Sequence, residues 1–256
     1  MEVNRVYNMD CLKGMQLVPD KSVDMILCDL PYGTTECSWD NVIPFDQLWE
    51  RYRRVIKDNG AIVLTAKQPF TTDLIDSNRS WYRYNLVWAK NISSGFLNAK
   101  VMPLQSHEDI VVFYKNKPCY NPQMVTGQER KASKAISKQS CKAAEQYSKH
   151  IRVTDYNSTE RYPKSILYFD TDKHTNALHP TQKPVALFEY LIRTFTNKGD
   201  IVLDNCIGSG TTAEACINTG RNFIGFELEE KYYNITVTRI DRARKRREAL
   251  GMELFA

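Results

Sequence analysis

The tetrad Asp29-Leu30-Pro31-Tyr32 closes an apolar run, Val23-Asp24-Met25-Ile26-Leu27-Cys28, and leads directly into Gly33. An acid, a proline-fixed turn and an aromatic ring at the end of a buried strand make a small reaction site. The carboxylate and a backbone carbonyl can accept the two hydrogens of an amino group while the ring stacks on the base that carries it. This is the chemistry needed to methylate an exocyclic nucleobase amine. The amine lone pair is delocalised into the ring, and holding both hydrogens draws the nitrogen toward sp³ geometry and orients it for attack. Asp29, Leu30 (through its carbonyl), Pro31 and Tyr32 are the candidate catalytic residues. Neither a metal nor a covalent enzyme intermediate is required, and Cys28 reads as a buried strand cysteine.

A methyl donor needs its own pocket. Ile201-Val202-Leu203 reads as a strand, Asp204-Asn205-Cys206-Ile207-Gly208-Ser209-Gly210 as a turn, and Thr211-Thr212 as the start of a helix. Gly208 and Gly210 let the backbone approach a ligand, and the helix start offers unpaired N–H groups. A dinucleotide loop would want glycine where Ala213 stands, and a phosphate-gripping loop would need a lysine that is missing. A loop with no grip on phosphate suits S-adenosylmethionine. Glu227 follows the next strand, Asn222–Phe226, where an acid can accept both ribose hydroxyls.

The elements that must position these residues fall into three blocks. Residues 1–115 form a catalytic half: a strand at Val23–Cys28, a helix at Phe45–Lys57 stopped by Asn59-Gly60, and a strand at 61–65. A helix near Pro69–Asp76 and strands at Tyr84–Trp88 and Ile110–Tyr114 follow. Residues 171–256 form the cofactor half. There the expected elements are a helix from Pro184 to about Thr196, the strands and glycine turn just described, a helix over Thr211–Thr219 capped by Gly220, and a helix from Glu230 to about Leu250. The rhythm predicts an α/β fold with a parallel, doubly wound sheet. The basic end Arg242–Arg247 suits the negative pole of the last helix.

Residues 116–170 differ, being rich in Lys, Ser, Gln and Thr. Lys131, Lys134, Lys138 and Lys142 recur at near-helical spacing, with Lys149, Arg152, Arg161 and Lys164 beyond. One reading is a solvated insertion with some helix; the other is a DNA-recognition element, since neutralising phosphates supplies much of the affinity for DNA.

Bulk composition constrains the rest. The 256 residues carry 35 Lys and Arg against 30 Asp and Glu, a net charge of +5 that permits a nucleic-acid partner without demanding one. The seven cysteines are scattered and never spaced as Cys-x-x-Cys, which argues for reduced thiols, against a disulfide framework and against a zinc site. No apolar run approaches the roughly 18–20 residues of a membrane span, and the start lacks a signal-peptide pattern, so a cytoplasmic protein is expected.

In combination, Asp-Leu-Pro-Tyr, then His179-Pro180-Thr181-Gln182-Lys183-Pro184, then Asp204…Gly208-Ser209-Gly210-Thr211-Thr212…Gly225-Phe226-Glu227…Tyr232 closely resemble the amino-group DNA methyltransferases. These are the bacterial and phage enzymes that make N6-methyladenine or N4-methylcytosine. The catalytic motif precedes the cofactor motif, with a recognition region between, which looks like the β class of the family. The resemblance implies a Rossmann-like methyltransferase sheet in circularly permuted order, with residues 116–170 as a small target-recognition insertion. It implies S-adenosylmethionine as cofactor and duplex DNA as partner, the target base being rotated out of the helix. Asn8-Met9-Asp10-Cys11 resembles the family's acidic element beside the cofactor adenine.

The candidate cofactor contacts are therefore Asp10, Cys11, Asp29, Thr181, Lys183, Asp204, Asn205, Gly208, Gly210, Thr211, Thr212 and Glu227. Thr181 and Lys183, just ahead of the helix at Pro184, suit the methionine carboxylate, whereas His179 suits capping or packing. The candidate DNA contacts are Lys131, Lys134, Lys138 and Lys142. The family usually has Pro at the position of Leu30, and Pro-Phe at the positions of Asn205 and Cys206. The first change leaves the useful carbonyl in place; the second alters the fit around the methionine end. An acid at position 29 is the family's usual adenine pattern, with serine more frequent in N4-cytosine enzymes. Transfer to adenine N6 is thus expected, with N4-cytosine, RNA or protein glutamine as alternative targets and an inactive DNA-binding module as a further reading. A homodimer and a cognate restriction endonuclease accord with the resemblance.

Overall fold

The computed structural model describes residues 1–34, 40–137, 152–171 and 182–251. They divide into two compact units, Met1–Asn121 with Ser165–Ala256, and Pro122–Lys164.

In chain order the first strands are β1 (Arg5–Asn8), β2 (Val23–Asp29), β3 (Ile56–Ala66), β4 (Tyr82–Ser94) and β5 (Gln105–Phe113). There follow β6 (Lys131–Ser137), β7 (Arg152–Ser158), β8 (Ile166–Tyr168), β9 (Ile201–Asp204) and β10 (Asn222–Glu227). All but β6 and β7 belong to the larger unit, in one eight-stranded sheet ordered β1-β10-β9-β2-β3-β5-β4-β8. Its neighbouring pairs are parallel except those of β5, which runs against both β3 and β4. The helices are α1 (Cys11–Gln16), α2 (Phe45–Val55), α3 (Phe70–Ser77), α4 (Val185–Phe195), α5 (Thr211–Thr219) and α6 (Glu230–Ala249). The doubly wound architecture is as expected, and the antiparallel β5 modifies it.

Alternation along β2 explains the two cores. Met25 and Leu27 point to one face, where they meet Leu187, Leu191 and Phe195 of α4, Ala213 and Ile217 of α5, and Ile240 of α6. Ile26 and Cys28 point to the other, against Met15 of α1, Leu48, Trp49 and Tyr52 of α2, and Phe70 and Leu74 of α3. A strand buried on both faces must read as one apolar run, and this one does. Among the described residues no helix is long and apolar enough to cross a membrane.

Two expectations need correction here. Helix α2 ends at Val55, and Asn59-Gly60 lies inside β3 instead of stopping a helix. The pairing jumps from Val23–Ile56 to Met25–Ala61, so residues 57–60 form an irregularity in the ladder. A Cβ on Gly60 would stand 2.8 Å from the Asp24 carbonyl oxygen; this glycine serves close approach.

In the smaller unit, β6 pairs antiparallel with β7, Lys131 opposite Ser158 and Lys134 opposite Asp155. Lys131 and Lys134 therefore lie on a strand, and the helical face expected from their spacing is not formed. A period of charges without a matching apolar stripe has no core to bury and does not drive a helix. Lys138 and Lys142 lie outside the described residues. The compact unit is narrower than 116–170. Asn121 donates its backbone N–H to the Thr194 carbonyl of α4 at 2.8 Å, and β8 joins the main sheet.

Candidate active site

Strands β2 and β9 are neighbours, pairing Met25 with Val202 and Ile26 with Leu203. From β9 the chain winds outward through α5 to β10; from β2 it winds the opposite way through α2 to β3. The crevice beyond the carboxyl ends of such a strand pair is where open α/β sheets take ligands. Asp29 ends one strand and Asp204 the other, so two motifs far apart in sequence meet here. They open into one cavity of about 520 Å³, within the range of small-molecule sites.

At the reaction end, Asp29 is held through both carboxylate oxygens. Its Oδ1 accepts the Tyr32 hydroxyl at 2.7 Å and the Thr65 hydroxyl; Thr65 sits opposite Asp29 on β3. Its Oδ2 accepts the Lys183 ammonium at 2.6 Å. Lys183 also stands 3.4 Å from Glu108 Oε2 on β5, and Glu108 Oε1 takes Lys90 of β4 at 3.1 Å. The result is an alternating chain of charges, Asp29, Lys183, Glu108 and Lys90, lining the cavity. Burial opposes charge on Lys183, but the Asp29 and Glu108 carboxylates outweigh it and hold its pKa above the ordinary lysine value. Burial likewise opposes charge on Glu108, and Lys183 with Lys90 outweighs it, leaving that carboxyl below its usual range. Burial, then Asp29 and Glu108, push the Tyr32 phenol well up, so it stays a donor.

The turn itself is fixed by packing. Leu30 is buried in the core beneath, and the Tyr32 ring lies 5.1 Å from that of Phe70 on α3. Gly33, at φ +67°, and Thr34 donate their N–H groups to the two Asp40 oxygens, each at 2.9 Å. Asp40, which no sequence motif singles out, thus clamps the reaction turn.

At the other end, Asp204 accepts Cys206 N–H at 3.0 Å and the Thr212 hydroxyl, drawing the turn after β9 tight. Its carboxyl is pushed up to about 7 by burial, against the pull of Thr212 and Cys206. Glu227 Oε2 accepts Gly208 N–H at 2.8 Å and Oε1 accepts Glu229 N–H at 2.9 Å, and burial raises its pKa. Each carboxylate oxygen has a second lone pair, so Glu227 keeps capacity for a ligand hydroxyl. From α6, Thr236 donates to the Gly208 carbonyl at 2.5 Å, and Arg239, paired with Glu214, donates to the Ser209 carbonyl at 3.1 Å. Asp10 caps α1 by accepting Lys13 N–H at 3.0 Å, and Asn205 takes the Tyr52 hydroxyl at 2.5 Å while facing Cys11.

Among the expected site residues, the catalytic tetrad lines the cavity with Asp10, Cys11 and Lys183. Asp204, Asn205, Gly208, Thr211, Thr212 and Glu227 line it as well. Gly210 does not; at φ +86° it caps α5, and a Cβ there would stand 2.8 Å from Thr236 Cγ2. Thr181 lies outside the described residues, but Lys183 is tied to the loop through its carbonyl, which accepts the Thr211 hydroxyl at 3.3 Å. Thr65, Lys90 and Glu108 join the site without having been expected. Their only sequence signal is a polar or charged residue near the end of an otherwise apolar strand.

An acid–proline–aromatic turn beside a glycine loop, at the switch point of a doubly wound sheet, defines the amino-group methyltransferases as a class. The profile of the N6/N4 DNA methylase family matches residues 23–238, and the chain belongs to that family. It is 30% identical over 255 residues to the DNA adenine methyltransferase YhdJ of Escherichia coli (strain K12), covering 94% of this chain and 83% of that protein. It is 25% identical to the Type II methyltransferase M1.MboII of Moraxella bovis, covering 91% and 95% of the two chains. Among solved structures, the M1.HpyAVI–SAM complex aligns with a TM-score of 0.61 at 25% identity, covering 92% of this chain and 98% of the other. The cytosine-N4-specific PvuII DNA methyltransferase aligns with a TM-score of 0.65 at 16% identity, covering 97% and 93%, a likeness of fold alone.

Proposed function

We propose that this chain transfers a methyl group from S-adenosylmethionine to the N6 amine of an adenine rotated out of duplex DNA. The observation that carries the proposal is the single cavity into which Asp29 and the Gly208 loop both open. The loop end of that cavity, from Asp10 and Cys11 through Asp204–Thr212 to Phe226–Leu228, is lined by no lysine or arginine among the described residues. Acids, backbone groups and apolar side chains there fit a nucleoside without phosphates that carries a positive sulfonium. When bound, S-adenosylmethionine supplies an electrophilic methyl group.

The chain's own residues do the rest. Glu227 accepts ribose hydroxyls, and the Gly208 loop brings backbone close to the ligand. Asp29 and the Leu30 carbonyl accept the two amine hydrogens, and the Tyr32 ring stacks on the extruded base. Holding the nucleophile in line is the main source of acceleration in such a site. Adenine is favoured over cytosine by the acid at position 29 and by the name of the YhdJ relative. The unit around β6 and β7 is assigned to target recognition, with Lys131, Lys134, Lys138 and Lys142 meeting phosphates. A cytoplasmic setting, a homodimer and a cognate restriction endonuclease belong to the same reading; the Type II relative supports the last.

The test is incubation of the purified chain with methyl-labelled S-adenosylmethionine and, in parallel, mixed-sequence duplex DNA, RNA and protein. Label in duplex DNA is expected. Label only in RNA or protein, or DNA binding without transfer, contradicts the proposal.

A further inference from the structure

Asp29 is crowded for an incoming amine. Oδ1 receives two hydroxyls, from Tyr32 and Thr65, and Oδ2 receives the Lys183 ammonium. An amine reaching Oδ2 has to share that oxygen with the ammonium, whose full charge binds a carboxylate more strongly than a neutral donor does. The amine gains that oxygen outright only if Lys183 gives way, yet the lysine side chain is only 7% exposed and cannot simply swing into solvent. A buried ammonium without a partner is costly, so any motion must end on another carboxylate.

Glu108 offers one. Its Oε1 is satisfied by Lys90, but its Oε2 is buried and makes no hydrogen bond among the described residues. Lys183 Nζ stands 3.4 Å from that oxygen, about 0.6 Å beyond a good ammonium–carboxylate bond. We propose that Glu108 is a positioning residue that receives the Lys183 ammonium from Asp29 when the target base arrives, freeing Asp29 Oδ2 to hold the amine. The inference rests on the amino-methyltransferase reading above. After the handover Lys183 and Lys90 share the Glu108 carboxylate, and Asp29, with a side chain 24% exposed, holds the neutral amine. The groups facing Lys183 are Asp29 from β2, Glu108 from β5 and the Tyr32 ring at 5.7 Å; Lys90 from β4 stands beyond Glu108.

Removing the charge on Glu108 leaves Lys183 with Asp29 as its one acidic partner in this cluster, so the ammonium stays in place at neutral pH. With one carboxylate gone and burial unchanged, Lys183 also loses its proton more easily, which releases Asp29 in alkaline solution.

The experiment measures single-turnover transfer to unmodified duplex DNA across a pH series for the full-length wild-type chain, Glu108→Gln and Glu108→Asp. Cofactor affinity is measured by calorimetry and folding by thermal melting. For Glu108→Gln a loss of at least about tenfold in the transfer rate near neutral pH is expected, with S-adenosylmethionine affinity within about threefold. The deficit should shrink as pH rises into the alkaline range, and Glu108→Asp should recover part of the rate. A wild-type rate in Glu108→Gln, or a loss equal at every pH with no recovery in Glu108→Asp, overturns the handover. Should Glu108→Gln not fold, Glu108→Ala takes its place: a reduced rate that recovers in alkali supports the handover, and a wild-type rate refutes it. If the wild-type chain transfers nothing to DNA, the functional reading itself fails and takes the handover with it.

Discussion

Asp204→Asn should make the protein more stable above neutral pH, by an amount that the buried carboxyl sets. Asp204 is 3% exposed, and burial lifts its pKa from 3.8 to about 7. Below about pH 4 the carboxyl is protonated in both the folded and the unfolded chain. Between there and about pH 7 the unfolded chain ionises while the folded one keeps its proton, so stability falls as pH rises. Above pH 7 both are ionised and the loss is complete. At about 1.4 kcal/mol per tenfold change in proton affinity, the loss is about 4 kcal/mol. Asparagine can accept the Cys206 N–H with its carbonyl, and the Thr212 hydroxyl can turn to accept from its amide, so both ties to the glycine loop survive. Glu227, also raised, contributes loss in the same direction. Glu108 and Glu214, held low by their basic partners, contribute stability that disappears as pH falls through their folded pKa values. Those contributions are common to both proteins. The difference in unfolding free energy, mutant minus wild type, should therefore grow by about 4 kcal/mol from pH 4 to pH 8, roughly 10 °C in melting temperature for a chain of this size. Denaturant titrations of both proteins at several pH values measure it. Parallel stability curves would refute the buried, titrating Asp204.

Three further outcomes follow from the same geometry. Gly210→Ala places a Cβ against Thr236 in left-handed backbone, costing about 1–2 kcal/mol for the conformation and about 1–3 kcal/mol for the clash; calorimetric melting should fall by several degrees and cofactor affinity with it. Glu227→Ala strips the acceptor from the Gly208 and Glu229 N–H groups, each worth about 1–3 kcal/mol when left unmet, so cofactor affinity by titration calorimetry should drop on the order of 100-fold. An unchanged affinity would remove Glu227 from the cofactor site. Neutralising Lys131 and Lys134 should flatten the slope of log affinity against log salt by about 0.9 for each phosphate no longer neutralised, read by fluorescence anisotropy on duplex DNA; an unchanged slope would make that hairpin a bystander.

Much of the fold is legible in the sequence because buried parallel strands announce themselves. Val23–Cys28, Ile201–Leu203 and Asn222–Phe226 are largely apolar runs that the sheet uses almost to the residue, and the 61–65 segment is the apolar end of a strand that begins at Ile56. Gly220 marks the end of α5 because its φ of +73° suits glycine best. Strand direction is another matter, since apolar runs carry no sign, and nothing in Ile110–Phe113 says that β5 points backward. Strand β1 escapes notice because four short-run residues, Arg5–Asn8, have no periodicity to read. The site divides the same way. Asp29 and Glu227 are visible because each is an acid that ends an apolar run, and Gly208 because a turn at positive φ favours glycine. Lys90 and Glu108 are not, because their meaning lies in pairing between strands β4 and β5 and a lysine from ahead of α4.

If Asp29 grips an adenine amine for methylation, the nucleoside composition of treated DNA reveals it. Unmodified duplex DNA is incubated with S-adenosylmethionine and either the wild-type chain or Asp29→Ala, digested, and analysed by mass spectrometry. N6-methyldeoxyadenosine from the wild type, and none from Asp29→Ala while calorimetry shows cofactor still bound, is the predicted result. N4-methyldeoxycytidine in its place would make cytosine the target, and undiminished N6-methyldeoxyadenosine from Asp29→Ala would remove Asp29 from the reaction.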